Sequence, residues 1–418
     1  MGLWARATSE VMYQRNLQVS RHICSIWLRG VQNRWSSRRW ASSFVPIEPL
    51  DLAKDIAAAA TRRQVGVSLR HMLDFGSHPT EKNLLQSAQY LHSELPVRLA
   101  HRVMEIQNLP YGLAMKKPIL RVRDWYVDSF RELRNFPLPQ TAVDEREFTL
   151  LISEIKKRHN DVVPIVAMGI AELKLDLKQG KVEGLPPSLD PSEIRMPEIH
   201  QFLDRFYISR IGIRMLIGQH VALHEPNPPS GYIGLVHVNC SPVQVAQDAC
   251  EAAQQICNRS LGAAPEIEIY GDERFTFAYV PDHLFSMVFE LAKNSMRATV
   301  EKFGQYADAY PPVKVIVAEG VEDVTLKVSD EGGGIPRSGV QKIWTYLYTT
   351  AERPMITADG EFQNDRESVL AGYGYGLPLS RDYARYFGGD LQVISMEGYG
   401  TDAYLHLNRL GNSQEPLP

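Results

Sequence analysis

The 418-residue chain has only four cysteines, Cys24, Cys240, Cys250 and Cys257, and none forms a C-x-x-C pair. That argues against a disulfide scaffold or a zinc knuckle and points to a reducing compartment. No stretch reaches the roughly 18 consecutive apolar residues a spanning helix needs, so membrane insertion is not expected. The net charge of −4 supplies no basic footprint for nucleic acid. No G-x-x-x-x-G-K-S/T segment occurs, which removes a P-loop. Glycine and proline are too few for a collagen-like or low-complexity chain. No internal repeat is visible.

What is present is uneven. Residues 1–44 hold seven arginines, no lysine and one acid, Glu10, for a local charge of +6. Such a Ser- and Arg-rich, acid-poor leader reads as a mitochondrial transit peptide, with removal expected near Arg38–Ser43 and function in the matrix. Residues 50–225 read as an N-terminal antiparallel helical bundle. Thr80 caps a helix to about Glu94, and Pro96 starts another. Further helices are expected over about 120–133, over 144–177 with a kink at Pro164, and over 197–224. Three prolines in Glu225–Ser230 end this pattern. Alternating segments then predict strands at 232–239, 266–270, 275–280, 313–318, 324–328, 391–396 and 403–407. Helices are expected at about 242–260, 282–303, 338–347 and 376–387. The fold class is therefore an N-terminal helical bundle followed, over 231–410, by an α/β sandwich (α+β): one mixed sheet with helices on one face. Residues 411–418 form a short tail.

The chemistry gathers in the second half. On helix 282–303, Leu284, Met287, Val288, Leu291 and Ala298 make an apolar face, and Glu290, Asn294 and Arg297 stand beside it within about 60° of each other. These polar groups suit either a structural network or a site for a metal and phosphates. Downstream, a strand ends in Ser329-Asp330 and runs into Glu331-Gly332-Gly333-Gly334-Ile335-Pro336. A carboxylate there can accept a hydrogen bond from an amine such as adenine N6, and glycines admit close backbone approach. Gly372-Tyr373-Gly374-Tyr375-Gly376-Leu377-Pro378 then opens a helix, the pattern of a backbone anion cradle. Gly398-Tyr399-Gly400-Thr401 follows between two strands. The ordered set, rather than any one glycine loop, carries the signal.

These four segments resemble the nucleotide-binding boxes of the gyrase, heat-shock-90, histidine-kinase and mismatch-repair ATPase superfamily. Glu94-Leu-Pro-Val-Arg-Leu-Ala100, Arg158-His-Asn-Asp-Val-Val-Pro164, Phe202-Leu-Asp-Arg-Phe-Tyr207 and Ile211-Gly-Ile-Arg-Met-Leu216 narrow the resemblance to the mitochondrial α-keto acid dehydrogenase kinases. Tyr207-Ile-Ser-Arg210 and Tyr346-Leu-Tyr-Thr-Thr-Ala351 are more similar to the pyruvate than to the branched-chain kinases, and the ending at 411–418 resembles the plant type. The resemblance covers about residues 60–418. It implies transfer of the ATP γ-phosphoryl to a serine of the pyruvate dehydrogenase E1α subunit, which switches that complex off. It implies Asn294 as the Mg²⁺ ligand, Glu290 as the base for the serine hydroxyl, and Lys293 and Arg297 as partners of phosphate charge. Asp330 would read adenine, with Gly332 and Gly334 admitting the base. Gly372, Tyr373, Gly374, Tyr375, Gly376 and Leu377 would form a lid, its tyrosines as packing anchors, and Thr349, Thr350 and Thr401 would line the site. The same resemblance implies a homodimer and docking to the lipoyl domain of the E2 core; animal members use a longer C-terminal tail for this, and the helical bundle is the candidate docking surface here.

His159 has three readings. In the family it sits near the catalytic glutamate, where it could tune proton affinity; it could be structural; or it could accept a phosphoryl group, since Pro164 five residues later copies the two-component histidine box without its glutamate. Asp74-Phe75-Gly76 spells the D-F-G of ordinary protein kinases, but it precedes every nucleotide motif and no H-R-D loop accompanies it, so it reads as a coincidence in a turn. The alternatives to a pyruvate dehydrogenase kinase are a branched-chain kinase, a two-component-like histidine kinase, which lacks its sensor segments here, and an ATPase switch, which lacks a middle domain.

Overall fold

The computed structural model describes residues 47, 49–181, 196–346, 348, 374–409 and 413–417. The expected transit segment lies outside them. Residues 47–418 form one compact unit.

Helices α1 (Leu50–Ala59), α2 (Leu69–Gly76), α3 (Glu81–Gln107), α4 (Lys117–Asn135), α5 (Ala142–Arg158), α6 (Val162–Lys178) and α7 (Pro197–Ala222) make the first half. Their starts follow local chemistry. Ser68 and Thr80 accept hydrogen bonds from His71 N and Asn83 N, and Thr141 and Asp144 form a reciprocal capping box. Helix α4 stops where Phe136 turns extended ahead of Pro137.

Two expectations about proline are reversed. Pro96 does not start a helix but lies inside the continuous α3. Leu95, Val97, Leu99 and Ala100 around it are buried, so tertiary packing outweighs the lost hydrogen bond. Pro164 does not merely kink a helix over 144–177. The chain breaks at His159–Asp161 and restarts at Val162, which leaves Pro164 in a first turn where its missing N–H costs nothing. Asp74-Phe75-Gly76 closes α2 instead of occupying a turn.

The second half contains β1 (Tyr232–Ile233), β2 (Val236–Cys240), α8 (Pro242–Leu261), β3 (Ile267–Tyr270), β4 (Phe277–Tyr279), α9 (Pro281–Phe303), β5 (Val313–Glu319), β6 (Asp323–Asp330), α10 (Arg337–Val340), α11 (Gly376–Tyr386), β7 (Asp390–Met396) and β8 (Gly400–Asn408). Five strands form a mixed sheet in the order β3-β5-β6-β8-β7, with β3 parallel to β5 and the other pairs antiparallel. Helices α8, α9 and α11 pack on it. The expectation of one sheet is incomplete, because β1-β2-β4 form a second, antiparallel sheet. The segment 232–239 is a hairpin, turned at Gly234, whose positive φ a single strand could not hold. The helix expected at 338–347 shrinks to four residues, with Gly339 within it. Cys240, Cys250 and Cys257 are buried free thiols. Among the described residues no helix is long and apolar enough to cross a membrane.

Candidate active site

Helix α9 buries Leu284, Met287, Val288 and Leu291 in the core that the sheet shares. This sets the polar stripe beside it. Lys293, itself buried, donates to Glu290 Oε1 at 2.6 Å and lies 5.2 Å from the centre of the Phe289 ring. The other carboxylate oxygen of Glu290 faces Gly376, the first residue of α11, where any side chain would collide with it. A carboxylate is therefore held at a helix N-terminus with one oxygen paired to an ammonium. Asn294 is half-buried, and no side-chain hydrogen bond engages it among the described residues. Arg297 donates to Glu301 at 2.6 Å.

Strand β6 delivers the second carboxylate. Val324, Leu326, Val328 and Asp330 alternate inward along it. Asp330 Oδ1 accepts from Gly332 N at 2.9 Å and from Thr401 N at 3.2 Å; the latter follows from the register that pairs Asp330 with Thr401. Burial pushes the Asp330 carboxyl above its usual range, against the hydrogen bonds from Gly332, Ser295 and Thr401. The Thr401 hydroxyl meets Ser395 Oγ at 3.0 Å.

The glycines of these loops lie close to other backbone. A Cβ on Gly332 would fall 2.7 Å from the Ala298 backbone of α9, and Gly334, with φ +70°, is pressed against the Met396 and Gly400 carbonyls. Gly374, with φ +68°, abuts the backbone of Tyr348. At Gly332 and Gly334 the absent side chains let the loop lie against α9 and the β7–β8 turn. Tyr375 is an anchor, as expected: it is buried against Tyr346 and Tyr207, with ring centres 5.2 and 5.8 Å away. Leu377 packs on the core. Thr349, Thr350, Gly372 and Tyr373 lie outside the described residues.

His159 is not in a helix interior. It ends α5, buried, with Nε2 3.0 Å from Ser129 Oγ and 3.3 Å from the Trp125 carbonyl. Burial pushes its pKa down to about 4, and Arg210, Arg158 and Arg214 act in the same direction. The ring is neutral near pH 7. Among the described residues no hydrogen bond joins it to Glu290, and its ring centre lies 4.4 Å from that of Tyr126.

Two residues escaped the sequence reading. Lys302, at the end of α9, donates to the Glu331 carbonyl at 2.8 Å and to the Tyr399 carbonyl at 3.1 Å, tying two glycine loops together. Ser295 touches the second carboxylate. Its place on α9 next to Asn294 was legible, but its partner 35 residues away was not.

Residues 66–237 match the family described as mitochondrial branched-chain alpha-ketoacid dehydrogenase kinase. Residues 279–410 match that of histidine kinase-, DNA gyrase B- and HSP90-like ATPases. A mitochondrial pyruvate dehydrogenase (acetyl-transferring) kinase of Arabidopsis thaliana is 56% identical over 370 residues, covering 88% of this chain and 97% of that one. The kinase of the same name from Schizosaccharomyces pombe is 37% identical over 433 residues, 88% of this chain and 98% of its own. Isozyme 3 of Homo sapiens is 40% identical over 365 residues, 84% and 85% of the two chains. Helical half, ATPase-type α/β half and identity along nearly the whole length agree: the chain belongs to the mitochondrial pyruvate dehydrogenase (acetyl-transferring) kinase family.

Proposed function

We propose that this chain is an ATP-dependent protein-serine kinase that phosphorylates the E1α subunit of the mitochondrial pyruvate dehydrogenase complex and thereby inactivates it. The observation that carries the reading is Glu290: a carboxylate fixed by Lys293 on one side and backed by the start of α11 on the other, in a chain 56% identical to a kinase of that name. Phosphoryl transfer asks a protein mainly for positioning and charge neutralisation. Glu290 would accept the serine proton. Asp330, held by Gly332 and Thr401, would read the adenine amine.

The donor set fits a hard cation. Among the described residues the Asn294 amide oxygen has no hydrogen-bond partner, and it stands one turn beyond Glu290 on the same face. Mg²⁺ held there would neutralise phosphate charge, with Lys293 and Arg297 adding to it. The branched-chain description attached to residues 66–237 keeps that kinase as the second reading, but the three relatives above all carry the pyruvate dehydrogenase name. Residues 1–44 act as the matrix-targeting leader, the enzyme works as a homodimer, and the bundle (50–225) docks on the lipoyl domain of the E2 core, with 231–410 as the ATP-binding domain.

The test is transfer of radiolabelled phosphate to purified E1 of both keto acid complexes, with calorimetry of ATP binding alongside. Glu290→Gln is expected to leave ATP affinity near normal and cut turnover by about two orders of magnitude or more. Asp330→Ala is expected to weaken ATP binding itself. If label goes only to branched-chain E1, the substrate assignment fails; if Glu290→Gln stays fully active, the base assignment fails.

A further inference from the structure

Away from the nucleotide site, chemistry-bearing side chains converge where the start of α5 meets the end of α7. Glu145 lies in the first turn of α5, His220 in the last turn of α7, and His224 two residues past the end of α7. One ligand atom from each lies within 4.8 Å of the others. Glu145 and His220 are buried and His224 is half-buried. Nε2 of His224 is 2.7 Å from Glu145 Oε1, and Nε2 of His220 is 3.2 Å from the same oxygen.

Counting protons shows what this arrangement needs. Nδ1 of His224 is 2.8 Å from the His220 carbonyl. A carbonyl has no proton to give, so Nδ1 carries the N–H, and a neutral His224 then aims a bare lone pair at a carboxylate oxygen. Two acceptors at that distance repel unless a cation sits with them, either a proton on Nε2 or a metal ion. His220 also turns Nε2 to this point, but its tautomer is free, because the Ser87 hydroxyl can give or take a proton. Its Nδ1 is engaged by Ser87 Oγ at 2.8 Å, and its Nε2 faces Glu145 and Thr149 Oγ1, the latter at 2.9 Å. The Thr149 hydroxyl has one proton and two acceptors within reach, Glu145 Oε1 at 3.0 Å and the Glu145 carbonyl at 2.9 Å, and its oxygen can itself accept from His220 Nε2. The pair that lacks a proton in every neutral arrangement is His224 Nε2 and Glu145 Oε1. Both imidazoles are also anchored from behind through Nδ1 with Nε2 turned to a common point, as metal-ligating histidines are.

We propose that Glu145, His220 and His224 bind one zinc-class divalent cation. Two imidazole nitrogens and one carboxylate oxygen suit Zn²⁺, with the half-exposed side at His224 open to a water as fourth ligand. Mg²⁺ and Ca²⁺ prefer oxygen sets and are poor occupants. Tetrahedral zinc puts its ligand atoms about 3.3 Å apart. The His220 contact already has that spacing, and the His224 contact must open by about half an ångström. The ion takes the place of the bridging proton and staples α5 to α7. It also fixes one wall of a cavity of about 280 Å³ that His220 lines together with Ser87, Gln219 and Tyr90.

The test uses the full chain, stripped with a chelator and titrated with ZnCl₂ by calorimetry in buffers of different ionisation enthalpy. Visible absorption of the Co²⁺-loaded protein is recorded in parallel. The expected result is one tight equivalent, bound with net proton release, and the intense Co²⁺ bands of four-coordinate ligation. His224→Gln, at a half-exposed position, and the isosteric Glu145→Gln should each lose the tight phase, with affinity falling about 100-fold or more. Zinc binding to the wild type no tighter than to either variant would overturn the proposal and leave a proton alone in the cluster. A weak six-coordinate Co²⁺ spectrum from the wild-type protein would overturn it without any variant.

Discussion

Arg98 shows how one residue can hold distant parts of a chain. Its side chain has no exposed surface. Nε donates to Glu94 at 3.0 Å, Nη1 to Glu415 Oε2 at 3.0 Å, and Nη2 to the Val65 carbonyl at 2.8 Å and to Glu415 Oε1. Glu415 also accepts from Val67 N at 3.2 Å and from the Tyr386 hydroxyl at 2.9 Å. A buried guanidinium between two buried carboxylates, with further partners for each, is a network whose members cannot be removed singly without cost. The tail at 413–417 is therefore a tie between α3 and α11. Glu415→Ala should leave Arg98 short of charge and destabilise the chain by about 3 kcal/mol or more, read as a lower urea midpoint. Glu415→Gln, which keeps the shape, should fall between. An unchanged midpoint for the alanine variant would show that the network adds nothing.

At the scale of elements, the two prolines of the bundle separate local from tertiary control. Pro164 obeys the local rule and sits in the first turn of α6. Pro96 violates it within α3. An interior proline costs a helix about 3 kcal/mol, and proline's stiffening of the unfolded chain returns about 1. Pro96→Ala, at a partly exposed position, restores the N–H facing the His92 carbonyl and should raise stability by about 2 kcal/mol. A lower unfolding midpoint for this variant would mean that the proline itself shapes α3 for its packing against α4 and α7.

For the molecule as a whole, the contact between the halves contains an acid that burial holds protonated well above the usual carboxyl range. Asp382 on α11 is buried and accepts from the Tyr346 hydroxyl at 2.8 Å. Burial pushes its pKa up to about 8, with the charge of Asp204 on α7 adding to the effect; burial also raises Asp204. The native state then keeps a proton that the unfolded chain sheds at the ordinary carboxyl pKa near 4. Stability from this site is full below about pH 4 and is lost as the pH rises towards 8. Asp382→Asn imitates the protonated form. It should flatten this dependence and, at pH 8, be more stable than the wild type, as urea midpoints from pH 5 to 9 would reveal. Parallel curves for the two proteins would place no proton there.

The sequence by itself determined what depends on short-range repetition. The 3.6-residue period of α9 put Glu290 and Asn294 beside a buried face. The two-residue period of β6 put Asp330 at the next inward position after Val324, Leu326 and Val328. Capping residues marked helix starts, and the order of the glycine boxes marked the ATPase-type half. Only the tertiary structure decided which distant groups meet: Glu290 with Gly376, Lys302 with two loops, Glu415 with Arg98 from 317 residues away, and His159 with Ser129. It also decided that Pro96 stays helical and that residues 232–240 fold into a second sheet. The physical reason is range. Periodicity reports which face a residue occupies, because backbone geometry repeats every few residues. The identity of a partner across the fold depends on how whole faces pack, a sum over many weak contacts that no single segment encodes.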